Sequence, residues 1–159
     1  MSPQKKDKIL IIDFGSQVTK LIARRVRELG VYSEVITPKE LSFIKDYKSI
    51  KGIVLSGGPS TVTKKKFQTI PKKILFKGIP ILGICYGLQL IAKLFGGKIK
   101  SSFKKREFGR AFILKKKKSD LIKNFFKKKE KAVWMSHQDA VVKLPKGFKA
   151  IASTSESKL

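Results

Sequence analysis

The stretch Ile79-Pro80-Ile81-Leu82-Gly83-Ile84-Cys85-Tyr86-Gly87 decides how this chain is expected to fold. Its first four residues predict a short buried strand because they are apolar. Residues 88–95 have the apolar spacing of a helix, and two glycines follow them. A cysteine between two glycines at a strand-to-helix turn is the layout of a nucleophile elbow, and the start of the helix would favour a thiolate there. The alternative is a small cysteine buried at the end of a strand.

Length and composition fit one domain, spanning residues 1–159, with enough apolar residues for a core, at 42% hydrophobic. No secretory segment or long apolar span is present, so the sequence predicts neither export nor a membrane partner. The single cysteine cannot form an internal disulfide and indicates a cytoplasmic location. One cysteine and one histidine also argue against a structural zinc site, and no metal site is predicted.

The chain is strongly basic, with 37 Lys and Arg against 11 Asp and Glu, a net charge of +26. Such a field would attract RNA, DNA or other anionic surfaces, so weak non-specific binding of nucleic acid is one interpretation. The other is a solvated, lysine-biased surface. We favour the second because arginine is scarce and specific nucleic-acid binding usually relies on arginine or aromatic side chains.

Apolar runs and turn residues predict an alternation of strands and helices in the first half of the chain. Strands are expected at 8–13, 31–36 and 50–55, with a helix near 71–76. Ser16 is the expected N-cap of a helix that Gly30 stops. The apolar face of that helix would consist of Val18, Leu21, Ile22, Val26 and Leu29. Shorter strands are expected at 112–114, 132–135, 140–142 and 148–152.

Alternating strands and helices predict an α/β fold, with a mostly parallel central sheet covered by helices on both faces. Chemistry in such sheets collects at the carboxyl ends of the strands. Three loops are expected there together: residues 13–17, residues 56–59 and the Cys85 turn. Their convergence favours the elbow over the buried cysteine.

A thiolate that attacks a carbonyl needs donors for the oxyanion and a group that moves protons. The amides of the Gly57-Gly58 loop can turn inward, and the amide of Tyr86 directly follows the cysteine. The only histidine, His137, could pair with Cys85. It could equally be a residue that shapes a substrate pocket.

Taken together, these segments resemble the class I (triad-type) glutamine amidotransferases, and within them the amidotransferase domain of the GMP synthetase branch. The matching motifs are Asp13-Phe14-Gly15-Ser16-Gln17, Ser56-Gly57-Gly58-Pro59, Gly83-Ile84-Cys85-Tyr86-Gly87, Arg106-Glu107-Phe108-Gly109, Trp134-Met135-Ser136-His137 and Ala152-Ser153-Thr154. They cover nearly the whole chain in family order, and the Asp-Phe-Gly-Ser-Gln, Arg-Glu-Phe-Gly and Trp-Met-Ser-His motifs point to that branch.

The resemblance implies glutamine hydrolysis. Cys85 would attack the side-chain amide and release ammonia, leaving a glutamyl thioester for water to cleave. Gly58 and Tyr86 would form the oxyanion hole. The substrate glutamine would be held by Gln89 and by a loop containing Ser136, His137 and Asp139.

The resemblance also implies a partner and a departure from the family. Ammonia would pass to a separate ATP pyrophosphatase (synthetase) domain or subunit, which uses ATP and Mg²⁺ to convert XMP to GMP in purine biosynthesis; no cofactor is implied for this chain. The family's catalytic histidine and glutamate lie in a His-Pro-Glu motif beyond the Ala-Ser-Thr segment. The sequence stops at Leu159, before that motif. We therefore expect a C-terminally incomplete amidotransferase domain, without its last strands and with little activity of its own.

Three alternatives stay open at this level. The chain could be a stand-alone glutaminase subunit that pairs with a separate synthetase. It could be a non-enzymatic basic protein that binds nucleic acid. It could also be another cysteine hydrolase that uses His137.

Overall fold

A computed structural model describes residues 6–101, 107–126, 129–137 and 139–158. The described chain divides into two compact units, one ending at Ile91 and the other starting at Ala92. Each unit has its own sheets.

The first unit is built on a four-stranded parallel sheet. Its strands are β1 (Lys8–Ile12), β2 (Ser33–Ile36), β3 (Ile50–Leu55) and β4 (Ile81–Gly83), in the spatial order β2-β1-β3-β4. Leu10 pairs with Glu34 on one side and with Ile53 on the other. The alternating strands and helices of the sequence thus produce the predicted α/β fold with its parallel sheet, because parallel neighbours need a crossover between them.

Helices cover both faces of this sheet, as the sequence predicts. Helix α1 (Thr19–Glu28) packs through Ala23 against Ile11 and Val54 on one face. The alternate residues of the same strands, such as Leu55, face the other side. There the start of helix α3 (Tyr86–Leu94) lies against β3 and β4. Burial on both faces explains why the two central strands, β1 and β3, are apolar runs. The prediction of a buried strand before Cys85 is wrong in its burial, because β4 is an edge strand and its Leu82 is 40% exposed.

Helix α1 differs from the prediction in its start and in its buried stripe. The helix begins at Thr19, and Ser16 forms a turn before it, with its hydroxyl oxygen accepting from the Val18 amide at 3.2 Å. Ser16 is therefore not the N-cap. Thr19 and Ala23 are buried, whereas Leu21 is 48% exposed. Ile22 of the predicted apolar face packs against the same core, so that prediction was right in part. Apolarity alone does not reveal that small side chains at the other buried positions let the helix approach the sheet closely.

Two short helical turns complete the first unit. Helix α2 (Pro38–Leu41) was not predicted, although Thr37-Pro38-Lys39-Glu40 has the pattern of a capping box with proline at its first position. The Thr37 amide donates to the Glu40 carboxylate at 2.7 Å, and this bond lowers the pKa of Glu40. The helix expected near 71–76 is a 3-10 helix, Lys72–Phe76.

The second unit contains two antiparallel sheets. Strand β5 (Lys98–Ser101) pairs with β8 (Asp139–Lys143). Strand β6 (Glu107–Lys115) lies between β7 (Glu130–His137) and the short β9 (Ala152–Ser153). The strands predicted at 112–114, 132–135 and 140–142 fall inside β6, β7 and β8.

Two features of this unit differ from the prediction. The strand expected at 148–152 is wrong for all but its last residue, because only Ala152 and Ser153 pair with β6. Strand β5 was not predicted, since its lysines interrupt the apolar pattern. Across the residues that the structure describes, no helix is long and apolar enough to span a membrane.

Candidate active site

Cys85 lies at the turn between β4 and α3, in a strained backbone conformation. Its φ of 50° is in the left-handed region, which no other non-glycine residue of the described chain adopts. A side chain in such a conformation costs about 1–3 kcal/mol and persists only where the surroundings impose it. The cysteine is exposed, and its carbonyl oxygen accepts from the Gln89 amide at 3.1 Å in the first turn of α3. The strand–turn–helix layout that the sequence predicts is therefore present, with the side chain displayed to solvent.

The glycines on either side of Cys85 are imposed by close packing of backbone against backbone. A Cβ atom at Gly87 would lie 2.2 Å from the carbonyl oxygen of Leu55. A Cβ atom at Gly83 would lie 2.6 Å from the Gly87 carbonyl carbon and from the Leu88 amide nitrogen. Neither position can hold a larger residue without movement of the main chain. The start of α3 is therefore pressed onto the ends of β3 and β4.

Backbone hydrogen bonds hold the turn in the same place. The Ile84 amide donates to the Leu55 carbonyl at 2.9 Å, and the Gly87 amide donates to the Ser56 carbonyl at 3.1 Å. Both acceptors lie at the end of β3, so hydrogen bonds from a residue before Cys85 and a residue after it hold the turn against that strand. The strained φ of Cys85 is maintained by these contacts.

The loops after β1 and β3 reach the same place. A Cβ atom at Gly57 would lie 3.7 Å from the Cβ of Cys85 and 3.5 Å from the hydroxyl oxygen of Ser16. A Cβ atom at Gly58 would lie 2.6 Å from the carbonyl oxygen of Phe14. The structure thus brings together the three loops that the sequence places at the carboxyl ends of the strands.

The buried hydroxyl of Ser56 links two of these loops through hydrogen bonds. Its side chain is fully buried, and its hydroxyl oxygen accepts from the Phe14 amide at 3.1 Å. The same hydroxyl donates to the carbonyl oxygen of Gly57 at 2.8 Å. Sequence reasoning placed Ser56 in the loop but gave it no role; its position directly after a buried strand is the only sequence signal for one.

The first loop is ordered by Asp13. One oxygen of its carboxylate accepts from the Gly15 amide at 2.9 Å and from the hydroxyl of Thr19 at 2.8 Å. Aspartate two residues before glycine is a typical signal for such a turn. A cavity of about 430 Å³ opens beside this loop, lined by residues from the ends of β1 and β2 and by Gln68 and Thr69, but not by Cys85.

Tyr86 is held firmly by its side chain. The ring is 1% exposed and its centroid lies 5.0 Å from that of Phe14. The hydroxyl donates to the Gln68 carbonyl at 2.5 Å. Burial raises the pKa of Tyr86, and the bond to Gln68 opposes that rise only in part. These contacts hold Tyr86 in place at the start of α3, directly after Cys85.

The two amides that the sequence assigns to an oxyanion hole lie near Cys85 along the chain or across the loops. Tyr86 directly follows Cys85, and Gly58 directly follows Gly57, whose added Cβ atom would lie 3.7 Å from the Cys85 Cβ. Among the hydrogen bonds of residues 6–101, none has the backbone amide of Gly58 or of Tyr86 as its donor. Gln89, assigned to the substrate, is 6% exposed and lies one helical turn after Cys85.

The other residues assigned to the substrate belong to the second unit. Ser136 and His137 end strand β7, and Asp139, which is 7% exposed, begins β8. The prediction that they form a loop is wrong, because the Trp-Met-Ser-His segment continues the ladder with β6 as far as Glu107. Gln138, which the sequence places in the same loop, lies outside the described residues. No group of three or more potential metal ligands occurs in the parts of the chain that the structure describes.

Comparison with known proteins agrees with this architecture. GMP synthase (glutamine-hydrolysing) from Brachyspira hyodysenteriae is 48% identical over 155 residues, which cover 96% of this chain and 29% of that protein. The enzyme of the same name from Paraburkholderia phytofirmans is 49% identical, covering 93% of this chain and 29% of that protein. The chain thus spans less than a third of the length of these curated relatives.

Solved structures show the same fold. A protein from Thermoplasma acidophilum, described as a candidate GMP synthase subunit, has a TM-score of 0.80 and 28% identity, over 97% of this chain and 76% of the other. A glutamine amidotransferase from Thermotoga maritima has a TM-score of 0.75 at 21% identity, over 97% of this chain and 70% of the other. The family profile described as glutamine amidotransferase class-I matches residues 10–159. The chain belongs to the class-I glutamine amidotransferase family and matches the amidotransferase portion of GMP synthases.

Proposed function

We propose that residues 1–159 form the glutamine-hydrolysing portion of a cytoplasmic GMP synthase, with Cys85 as the nucleophile. The observation that carries the proposal is the conformation of Cys85. Its backbone has a φ of 50°, and its exposed side chain stands beside the Gly57-Gly58 loop. A single strained residue displayed at the carboxyl end of a parallel sheet is the arrangement of a nucleophile elbow, in which strain clusters at the reactive side chain.

The chemistry follows from these positions. The Cys85 thiolate attacks the side-chain amide carbon of glutamine, and the amides of Gly58 and Tyr86 donate to the oxyanion. When the C–N bond breaks, ammonia leaves with a proton from an acid, and water then hydrolyses the thioester to glutamate. Gln89 from α3, with Ser136, His137 and Asp139, would hold the substrate. The ammonia would pass to a synthetase region that uses ATP and Mg²⁺ to aminate XMP.

A chimera tests this proposal. The chain is joined to the remaining region of the Brachyspira hyodysenteriae relative, to which it is 48% identical. We expect GMP formation from XMP with either glutamine or ammonium as the nitrogen source. Cys85→Ala should abolish the glutamine-dependent reaction and leave the ammonium-dependent one intact, which controls for folding. Glutamine-dependent activity that survives Cys85→Ala would refute the role of Cys85.

A stand-alone glutaminase subunit is the second candidate. It is favoured by the likeness to the Thermoplasma acidophilum protein, which is described as a subunit. Mixing the chain with a separately expressed synthetase region distinguishes the two candidates. A stable complex that makes GMP from glutamine without covalent linkage would support the second candidate.

A further inference from the structure

An uncovered aromatic face lies on the ribbon formed by β6 and β7. Phe108, Arg110, Phe112 and Leu114 are alternate residues of β6 and share one side, and Trp134 pairs with Arg110 from β7. Trp134 is 80% exposed, Phe108 58% and Phe112 49%. We call these five residues the aromatic face.

This pattern is the reverse of an ordinary solvated sheet. In a sheet with one wet face, polar residues occupy that face and large apolar residues the other. Here the alternate positions on the opposite side, such as Ala111 and Ile113, are half-buried, while the three rings stand in solvent. Contiguous exposed apolar surface of this kind indicates a binding site.

The aromatic face also lines a cavity and includes a charged side chain, Arg110, beside one of its rings. A cavity of about 610 Å³ is lined by Phe108, Phe112 and Leu114, with Arg110, Glu130 and Glu156 around them. The guanidinium carbon of Arg110 lies 5.3 Å from the centroid of the Phe112 ring. Planar guanidinium groups and aromatic rings are both surfaces on which a nucleobase stacks.

Charge decides between the classes of partner. Residues 107–137 contain ten Lys or Arg and three Asp or Glu, and the segment 116–129 that joins β6 to β7 contains seven lysines. A second copy of a chain with a net charge of +26 would be repelled. Any acidic partner would be attracted by the lysines. A partner that also carries flat aromatic groups can in addition stack those groups on the three rings.

We propose that the aromatic face binds single-stranded nucleic acid. Bases stack on Phe108, Phe112 and Trp134, and the phosphates follow the described lysines between β6 and β7, at positions 116, 117, 118, 123 and 129. Stacking tolerates any base, since every base has a π-face, so the binding has little sequence preference. The single strand is favoured over a duplex because the bases of a duplex are already stacked on one another.

Trp134 reports this binding directly, because it is the only tryptophan of the chain. The probe is an oligo-uridine of about 12 nucleotides, within the range of known single-strand sites. We expect saturable quenching of Trp134 fluorescence, with tighter binding of the single strand than of a duplex of equal length. Affinity should also fall steeply with salt.

Substitutions separate stacking from charge. Phe112→Leu keeps an apolar side chain but removes the ring, and should weaken binding about tenfold. Phe112→Tyr keeps the ring and should bind as the unmodified chain does. The matched control is Phe76→Leu, which changes an exposed phenylalanine of the first unit, 74% exposed. Circular dichroism checks the fold of each variant, and Phe108→Leu replaces Phe112→Leu if that variant unfolds.

Three results would overturn the proposal. One is a duplex that binds as tightly as the single strand. Another is equal affinity of the Phe112→Leu and Phe76→Leu variants for the oligo-uridine. The third is poly-L-glutamate of equal charge quenching Trp134 as strongly as the oligonucleotide does, which would indicate an acidic protein or attraction by charge alone.

Discussion

Gly87 lies so close to Leu55 that a Cβ atom added to it would stand 2.2 Å from the Leu55 carbonyl oxygen. The same strand end accepts the amides of Ile84 and Gly87. These contacts press the start of α3 onto β3 and leave Cys85, between them, in its strained conformation. The backbone geometry of the candidate nucleophile therefore depends on the close approach of Gly87 to Leu55.

Gly87→Ala should destabilise the chain by about 3 kcal/mol, because the new methyl group meets rigid backbone. The control is Gly78→Ala, where a Cβ atom meets nothing within 4 Å and only the left-handed φ of 72° is unfavourable. That change should cost about 1 kcal/mol. Denaturant unfolding measures both, and equal losses would contradict the packing that we describe.

Ser56→Ala should cost about 2 kcal/mol, because it leaves a buried amide of Phe14 without its acceptor. It should also slow alkylation of Cys85 by a glutamine analogue, since the Gly57-Gly58 loop loses the bond that holds it. Ser42→Ala is the control, as its exposed hydroxyl donates only to the Pro38 carbonyl. The interpretation fails if Ser56→Ala has the stability and reactivity of Ser42→Ala.

Tyr86→Phe removes the hydroxyl that donates to Gln68 and should cost about 1 kcal/mol near neutral pH. Because the folded pKa of Tyr86 is raised, the unfolded chain loses this proton first as the pH increases. Stability from this residue is therefore complete below about pH 10 and declines above it. Unfolding curves at rising pH should show a steeper decline for the unmodified chain than for Tyr86→Phe; parallel declines would show that the hydroxyl is not buried.

The sequence predicted an element correctly where burial of apolar residues determines it, and less well where side-chain hydrogen bonds or small residues determine it. The central strands β1 and β3 were predictable because they are buried on both faces and their sequences are apolar runs. The start of α1 was not, since Ser16 uses its side chain in a turn and the helix buries Thr19 and Ala23 more fully than its larger residues. Helix α2 carried a local signal, the Thr37–Glu40 capping box, that an apolar pattern does not reveal.

In the candidate site, the features with a local sequence signal were predicted and those that depend on a distant partner were not. The Cys85 turn could be predicted because its signal is local: two glycines around a cysteine, directly between an apolar run and a helical pattern. The loop expected around Ser136 could not be distinguished from a strand, because the ladder that extends to His137 is made with β6, a non-local partner. Neither periodicity nor turn residues report such pairing.

The 159-residue chain should hydrolyse glutamine at least about a thousandfold more slowly than the chimera with the Brachyspira hyodysenteriae region. Its only histidine, His137, ends strand β7 and is assigned to substrate binding. Release of ammonia and hydrolysis of the thioester both need an imidazole beside the sulfur. In a glutaminase assay, His137→Ala should therefore reduce the chimera's activity only in part. Full turnover by the 159-residue chain that His137→Ala abolishes would show that Cys85 and His137 act as a pair.

The most direct test of Cys85 as the nucleophile is its reaction with a glutamine analogue that carries a diazoketone. The folded chain is incubated with the analogue, and mass spectrometry of the intact protein and its peptides locates the adduct. We predict one adduct, on Cys85, that forms more slowly when L-glutamine is present and is absent from Cys85→Ala. An adduct that forms equally in the unfolded chain without protection by glutamine, or no adduct in the folded chain, would contradict the account.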